Sequence, residues 1–126
     1  MYLQRVVVVA VAFALLSLSG CTPHPGSGGW LPLQPNEGNF SRLLVQFDGR
    51  AELYRENVEG AVYRCFWAGD SKHALGMRCA DAANADIEVR YRLEIAGDGT
   101  AGLYQSSRLI SRFRKDPGAD GAAAGK

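Results

Sequence analysis

The feature that most restricts the fold of this 126-residue chain is a pair of cysteines, each set in an apolar segment, facing one another across a short polar loop. Ala61-Val-Tyr-Arg-Cys-Phe-Trp-Ala68 and Ala74-Leu-Gly-Met-Arg-Cys-Ala80 flank Gly69-Asp-Ser-Lys-His73, a loop of the length hairpins use. Folding the chain back about Lys72 sets Cys65 opposite Cys79, Trp67 opposite Met77 and Tyr63 opposite Asp81. Directly opposed residues of an antiparallel pair hold their Cβ atoms about 4.5 to 5.5 Å apart, near the spacing a disulfide needs. The spacing therefore predicts a Cys65–Cys79 bond that pins the register. It also predicts one core-facing side carrying Tyr63, Cys65, Trp67, Met77 and Cys79. A redox-active pair needs C-x-x-C spacing or an activated thiolate setting, and neither is visible.

The same two-residue period recurs downstream. Val89-Arg-Tyr-Arg-Leu-Glu-Ile95 alternates without a fault, with Val89, Tyr91, Leu93 and Ile95 on one face and Arg90, Arg92 and Glu94 on the other, as a strand with one wet face requires. Asp48-Gly49 through Leu53-Tyr54 is echoed by Asp98-Gly99 through Leu103-Tyr104, and Asp-Gly supplies the positive φ of a tight turn. Shared hairpin construction accounts for the echo more simply than duplication. At the second copy two registers stay open: a two-residue turn sets Tyr104 beside Leu93 and Ile95, and a bulge in Gly97-Asp98-Gly99 sets Leu103 there instead. With segments 41–47, 50–56, 87–96 and 100–105 and the cysteine hairpin, the expected fold is all-β. It is a small antiparallel meander or open β-barrel of about six strands with one disulfide-stapled hairpin. Segment 108–115 reads as a short helix or as a seventh strand closing the sheet.

The front of the chain is of another kind. Met1 to Arg5 carries one positive charge, and the thirteen residues 6–18 are apolar apart from Ser17. That is the length of a signal-peptide core and short of the roughly 20 residues that cross a bilayer. Leu18-Ser19-Gly20-Cys21 follows and resembles the lipobox of bacterial lipoprotein precursors. The resemblance implies cleavage before Cys21 and lipidation of its thiol, so that the chain meets the lipid bilayer through the acyl chains on Cys21. Each buried acyl CH₂ contributes about 0.8 kcal/mol, and stable attachment takes more than one chain. Thr22, where enterobacterial lipoproteins retained at the inner membrane carry aspartate, implies a lipid anchor in the cell envelope at the outer membrane, facing the periplasm. The expected organisation is a lipoprotein signal peptide at 1–20, a lipidated cysteine and Pro/Gly-rich tether at 21–38, a β-domain at 39–115 and a disordered tail at 116–126. In the tether, Trp30, Leu31 and Leu33 interrupt the polarity and are expected to dock on the domain.

Loss of Arg5 with the leader leaves thirteen basic against thirteen acidic residues, which argues against nucleic acid as a partner, because phosphate binding shows as a basic excess. With Cys21 lipidated, Cys65 and Cys79 remain as an even pair in an oxidising compartment. His24 falls in the tether and His73 at a hairpin tip. No Cys/His/Asp cluster has metal-ligand spacing, and no triad or carboxylate pair stands out. No cofactor and no catalytic residue is expected, and the chain reads as non-enzymatic.

Arg90, Arg92 and Trp67 are the candidate binding face. Gly60-Ala-Val-Tyr63-Arg-Cys65 with Cys79 resembles the tyrosine-x-cysteine strand of the lipoprotein inhibitors of C-type lysozyme. Their serine- and glycine-rich inhibitory loop has no counterpart, Ser106-Ser107-Arg108 being the nearest stretch, so no inhibitory residue carries over. The expected role is a membrane-anchored envelope protein that presents its β-domain to another envelope protein, as inhibitor, immunity factor or assembly accessory. The alternatives are a lipocalin-like small-molecule carrier and a lysozyme inhibitor.

Overall fold

A computed structural model of the chain describes residues 23–118. Eight antiparallel strands close into a barrel in sequential order: β1 (Gly28–Asn36), β2 (Phe40–Val45), β3 (Arg50–Arg55), β4 (Tyr63–Ser71), β5 (Ala74–Asp81), β6 (Glu88–Ile95), β7 (Thr100–Gln105) and β8 (Arg108–Asp116). Closure leaves no sheet edge for a second chain to pair with.

The cysteine hairpin folds in the register its sequence dictates. Cys65 faces Cys79, Trp67 faces Met77 and Tyr63 faces Asp81, with Cys65 and Cys79 joined in a disulfide. The alternation of β6 also holds: Tyr91 and Leu93 are buried, whereas Arg90 and Glu94 are exposed.

Both Asp-Gly turns are three-residue loops with glycine in the left-handed region, Gly49 at φ 89° and Gly99 at φ 84°. The Gln46 amide donates to the Arg50 carbonyl at 2.8 Å and the Ala96 amide to the Thr100 carbonyl at 2.9 Å. The second hairpin thus takes the bulged register, with Leu93 opposite Leu103 and both fully buried. In each loop the aspartate Oδ1 accepts the amide two residues on, at 3.1 Å. The glycine carbonyl then accepts from the next strand, Gly49 from Trp67 at 2.8 Å and Gly99 from Lys115 at 2.9 Å. These bonds hold the aspartates ionised below the ordinary carboxylate range, Asp48 through the Arg50 side chain and amide, Asp98 through the Thr100 hydroxyl and amide.

The strand count and both margins of the domain depart from the sequence expectation, and β4 runs on to Ser71 through a bulge, so that most of the 69–73 segment read as loop is strand. The barrel has eight strands rather than about six, and both additions come from its margins. Residues 28–36, expected in the tether, form β1, so the domain does not begin at 39. The proline rule fails here for a local reason. β1 pairs with β2 only from Gly28 to Trp30, so Pro32 lies beyond that ladder, and Pro35 falls in the bulge where the β1–β8 register shifts between Leu33 and Asn36. Trp30 supplies the driving force: its side chain is 1 % exposed and its Nε1 donates to the Gly26 carbonyl at 2.9 Å. At the other margin, 108–116 is strand β8 and not a helix, and Asp116, expected in the tail, pairs with Gly29. The inward positions of β8 include Ser111, fully buried, whose hydroxyl donates to Asn36 Oδ1 at 2.6 Å and accepts the Gly38 amide at 3.3 Å. A buried serine is tolerated because its hydrogen bonds are satisfied.

The interior is filled and both ends are covered. Trp30, Phe40, Leu43, Leu53, Leu75, Met77, Leu93, Leu103 and Phe113 are each at most 2 % exposed. At the end holding the β1–β2, β3–β4, β5–β6 and β7–β8 turns, Phe40, Tyr63 and Tyr91 meet edge to face with ring centroids 6.1 to 6.3 Å apart. The Arg55 guanidinium lies 5.0 Å from the Phe40 ring centre, and its Nε donates to the Gly38 carbonyl at 3.0 Å.

The opposite end is crossed by residues 23–27. His24 Nδ1 accepts the Gly26 amide at 3.0 Å, which leaves the proton on Nε2, and Nε2 donates to the Ser71 carbonyl at 2.7 Å. Gly26 is seated so closely that a Cβ there would lie 2.4 Å from Leu75 Cδ2. Lys115 Nζ donates to the Pro25 carbonyl at 3.3 Å and also to the Ser27 carbonyl, and lies 4.7 Å from the Trp30 ring centre. Cys21, the leader at 1–20, Thr22 and the tail beyond Gly118 lie outside the described residues.

Candidate functional site

Inward side chains are committed to the core, which leaves the outer face of the sheet for contact with another molecule. Alternation along β4 turns Tyr63, Cys65 and Trp67 inward and forces Phe66 outward, where it is 71 % exposed, the most exposed large hydrophobic side chain among the described residues. Its ladder neighbours are Arg50 on β3 and Arg78 on β5, and Arg78 in turn faces Arg90 on β6. One register step along, Ala68, Gly76 and Arg92 form the next outward row. Small residues in that row leave Phe66 standing above its surroundings. A hollow of about 490 Å³ lies beside it, walled by Arg50, Glu52, Arg64 and Phe66.

The arginines around Phe66 are balanced by acids. Arg78 and Arg90 share Glu88, at 3.2 and 3.6 Å. Arg92 is held by Asp70 and by Glu94, the latter at 3.2 Å, and Arg50 by Asp48 at 2.5 Å. All these side chains are solvent-exposed, so the pairs are weak and each is readily exchanged for a partner's carboxylate. The result is one aromatic side chain inside a rim of guanidiniums, the composition that protein interfaces favour at their centres.

Of the residues that sequence reasoning put forward, Arg90 and Arg92 lie together on this face, and Trp67 does not. Trp67 faces the barrel interior near the end crossed by residues 23–27. Its Nε1 donates to the Gln46 carbonyl at 2.7 Å, and its ring meets His24 at 5.9 Å. The tryptophan is a packing residue there because its register partner is the buried Met77. Phe66 takes its place as the aromatic member of the face. The signal for it was present in the cysteine hairpin, since a strand that turns Cys65 and Trp67 inward must turn the residue between them outward.

A second concavity, of about 650 Å³, lies at the barrel end beside the entering chain, between Pro23, His24 and Pro25 on one side and Leu44, Val45 and Phe47 on the other. Phe47, at the β2–β3 turn, is 64 % exposed. Among the described residues no group of three or more histidine, cysteine or acidic side chains is placed to hold a metal ion, and no helix is long and apolar enough to cross a membrane. No family model matches the chain, and neither a curated protein nor a solved structure matches it.

Proposed function

We propose that the chain is a small, non-enzymatic lipoprotein of the bacterial envelope, anchored through lipid on Cys21 at the outer membrane and facing the periplasm. Its barrel presents the Phe66 face to another envelope protein. The observation that carries this reading is Phe66 itself. A phenylalanine 71 % exposed in the middle of a regular ladder, bordered by Arg50 and Arg78, loses free energy in water and regains it in a desolvated contact. The filled interior supports recognition on the outside of the barrel over carriage of a small molecule within it. The anchor is supported by Leu18-Ser19-Gly20-Cys21 after its apolar run.

The test places a photoreactive benzoylphenylalanine at position 66 in the native host, with the same group at the exposed Arg108 of β8 as control. A discrete protein adduct formed from position 66 and not from 108, and suppressed by Arg78→Glu, is the expected result. No adduct at 66, or the same adducts from both positions, refutes the assigned face.

A further inference from the structure

We infer that the barrel end carrying Phe47 rests on the lipid surface that holds the anchor, with Phe47 inserted at the headgroup level. This rests on the proposed lipidation of Cys21. The argument begins with the length of free chain. A tether of 21–38 would hold the domain well away from the bilayer, but residues 23–27 are packed across the barrel end and β1 starts at Gly28. His24 is fixed by its bonds to the Ser71 carbonyl and the Gly26 amide, and Pro23 already forms part of the groove wall. Only two Cα steps separate Cys21 from Pro23, a span of at most about 7 to 8 Å. The polar layer of one leaflet is roughly 5 to 8 Å deep, from the difference between a bilayer with and without its headgroups. The free chain is therefore consumed in crossing that layer, and the barrel end must meet it.

What this end presents suits the contact. Phe47 is 64 % exposed beside an apolar groove walled by Pro23, Pro25, Leu44 and Val45. Of the aspartates nearby, Asp48 pairs with Arg50 and Asp70 with Arg92, while Asp98, bonded to the Thr100 hydroxyl, keeps its charge. The opposite end, which carries the exposed Val58 of the β3–β4 turn, then points away from the membrane, and the Phe66 face stands on the barrel wall, open to a partner approaching from the side.

The full-length chain, made in a lipoprotein-processing host with benzoylphenylalanine at position 47 or at position 58, is reconstituted in phosphatidylethanolamine–phosphatidylglycerol vesicles. Intact mass reports the state of Cys21, and photoproducts are sorted into lipid and protein adducts. A chain lipidated at Cys21 should give on the order of tenfold more lipid adduct from position 47 than from 58, because a short tether imposes a high effective concentration of lipid at that end only. Equal or absent lipid adducts in a lipidated chain, or adducts to protein alone, overturn the inference and leave the anchor standing. A Cys21 without lipid overturns both. In the unsubstituted chain, amide exchange at 46–49 should slow on reconstitution while that at 57–59 does not, and unchanged exchange at 46–49 counts against the contact.

Discussion

The barrel is held by two seams of opposite character. β4 and β5 are adjacent in the chain, joined by a turn and stapled by Cys65–Cys79, a pair 14 residues apart. β1 and β8 come from opposite ends of the domain, with no covalent link, yet they pair from Gly29–Asp116 to Asn36–Ser111 with a bulge between. The hairpin closes at small loop entropy, and its register is set by alternation and by the disulfide. The distant seam must overcome the closure entropy of the whole domain, and it does so with side chains: Trp30, Phe113 and the Asn36–Ser111 bond. A local seam is thus fixed by covalent and turn chemistry, and a distant one by packing.

Substitutions at the two seams separate these causes. The largest effect is expected from Trp30→Ala, which removes a side chain 1 % exposed and its bond to Gly26. A loss of about 3 to 5 kcal/mol in denaturant unfolding follows from comparable core deletions. That approaches the whole stability of a marginal small domain, roughly 5 kcal/mol at the low end. Reduction of the disulfide, or Cys65→Ser with Cys79→Ser, should cost about 3 kcal/mol in the chain-entropy account of a loop this size, and far-ultraviolet dichroism should remain that of a β-protein. If the double serine variant loses more than Trp30→Ala, the ranking of the seams is reversed.

A third substitution probes the chain segment that crosses the barrel end. Gly26→Ala forces a Cβ to 2.4 Å from the fully buried Leu75 and should cost about 1 to 3 kcal/mol, as overpacking does. Gly76→Ala on the outer face meets nothing within 4 Å and should stay within about 0.5 kcal/mol of the parent.

The smallest effect concerns pH. Burial, reinforced by neighbouring Tyr63, pushes the Tyr91 hydroxyl up to about 12 from an ordinary 10.0. The fold favours the neutral phenol, so this contribution is complete below pH 10 and is lost as pH rises toward 12. Tyr91→Phe should flatten that part of the stability curve, leaving a smaller slope from Tyr54, whose hydroxyl is raised mainly by burial.

The stapled hairpin and β6 were legible because their physics is local. Opposed cysteines define a register, and Val89 to Ile95 alternates under a single rule. The bulged Asp98-Gly99 turn was not, since both registers put an apolar residue, Tyr104 or Leu103, against the same face, and the choice rests on Gly99 adopting positive φ and accepting the Lys115 amide at its carbonyl. β1 was hidden by Pro32 and Pro35, which forbid a central strand but are permitted where one flank has no ladder. β8 was hidden by Ser111 and Lys115 at inward positions, which blur the two-residue period. Both strands make sense only in each other's company, and a reading that moves along the chain cannot bring residue 29 to residue 116. On the candidate face, Arg90 and Arg92 were legible from alternation. The misplacement of Trp67 came from treating an aromatic residue as a surface feature when its own ladder partner was already assigned to the core.

The Gly29–Asp116 pairing bears on the order in which the strands can follow one another along the chain. Since the first and last strands meet as ordinary neighbours, the ring of ladders has no inherent starting point, and the start of β1 lies beside the end of β8. A circular permutant that joins the end of β8 to the start of β1 through a linker and opens the polypeptide in the exposed 83–86 turn retains every strand neighbour. In such a molecule the new termini leave from the opposite rim, and if the proposed lipid anchor were carried there the cylinder would stand upside down on the bilayer.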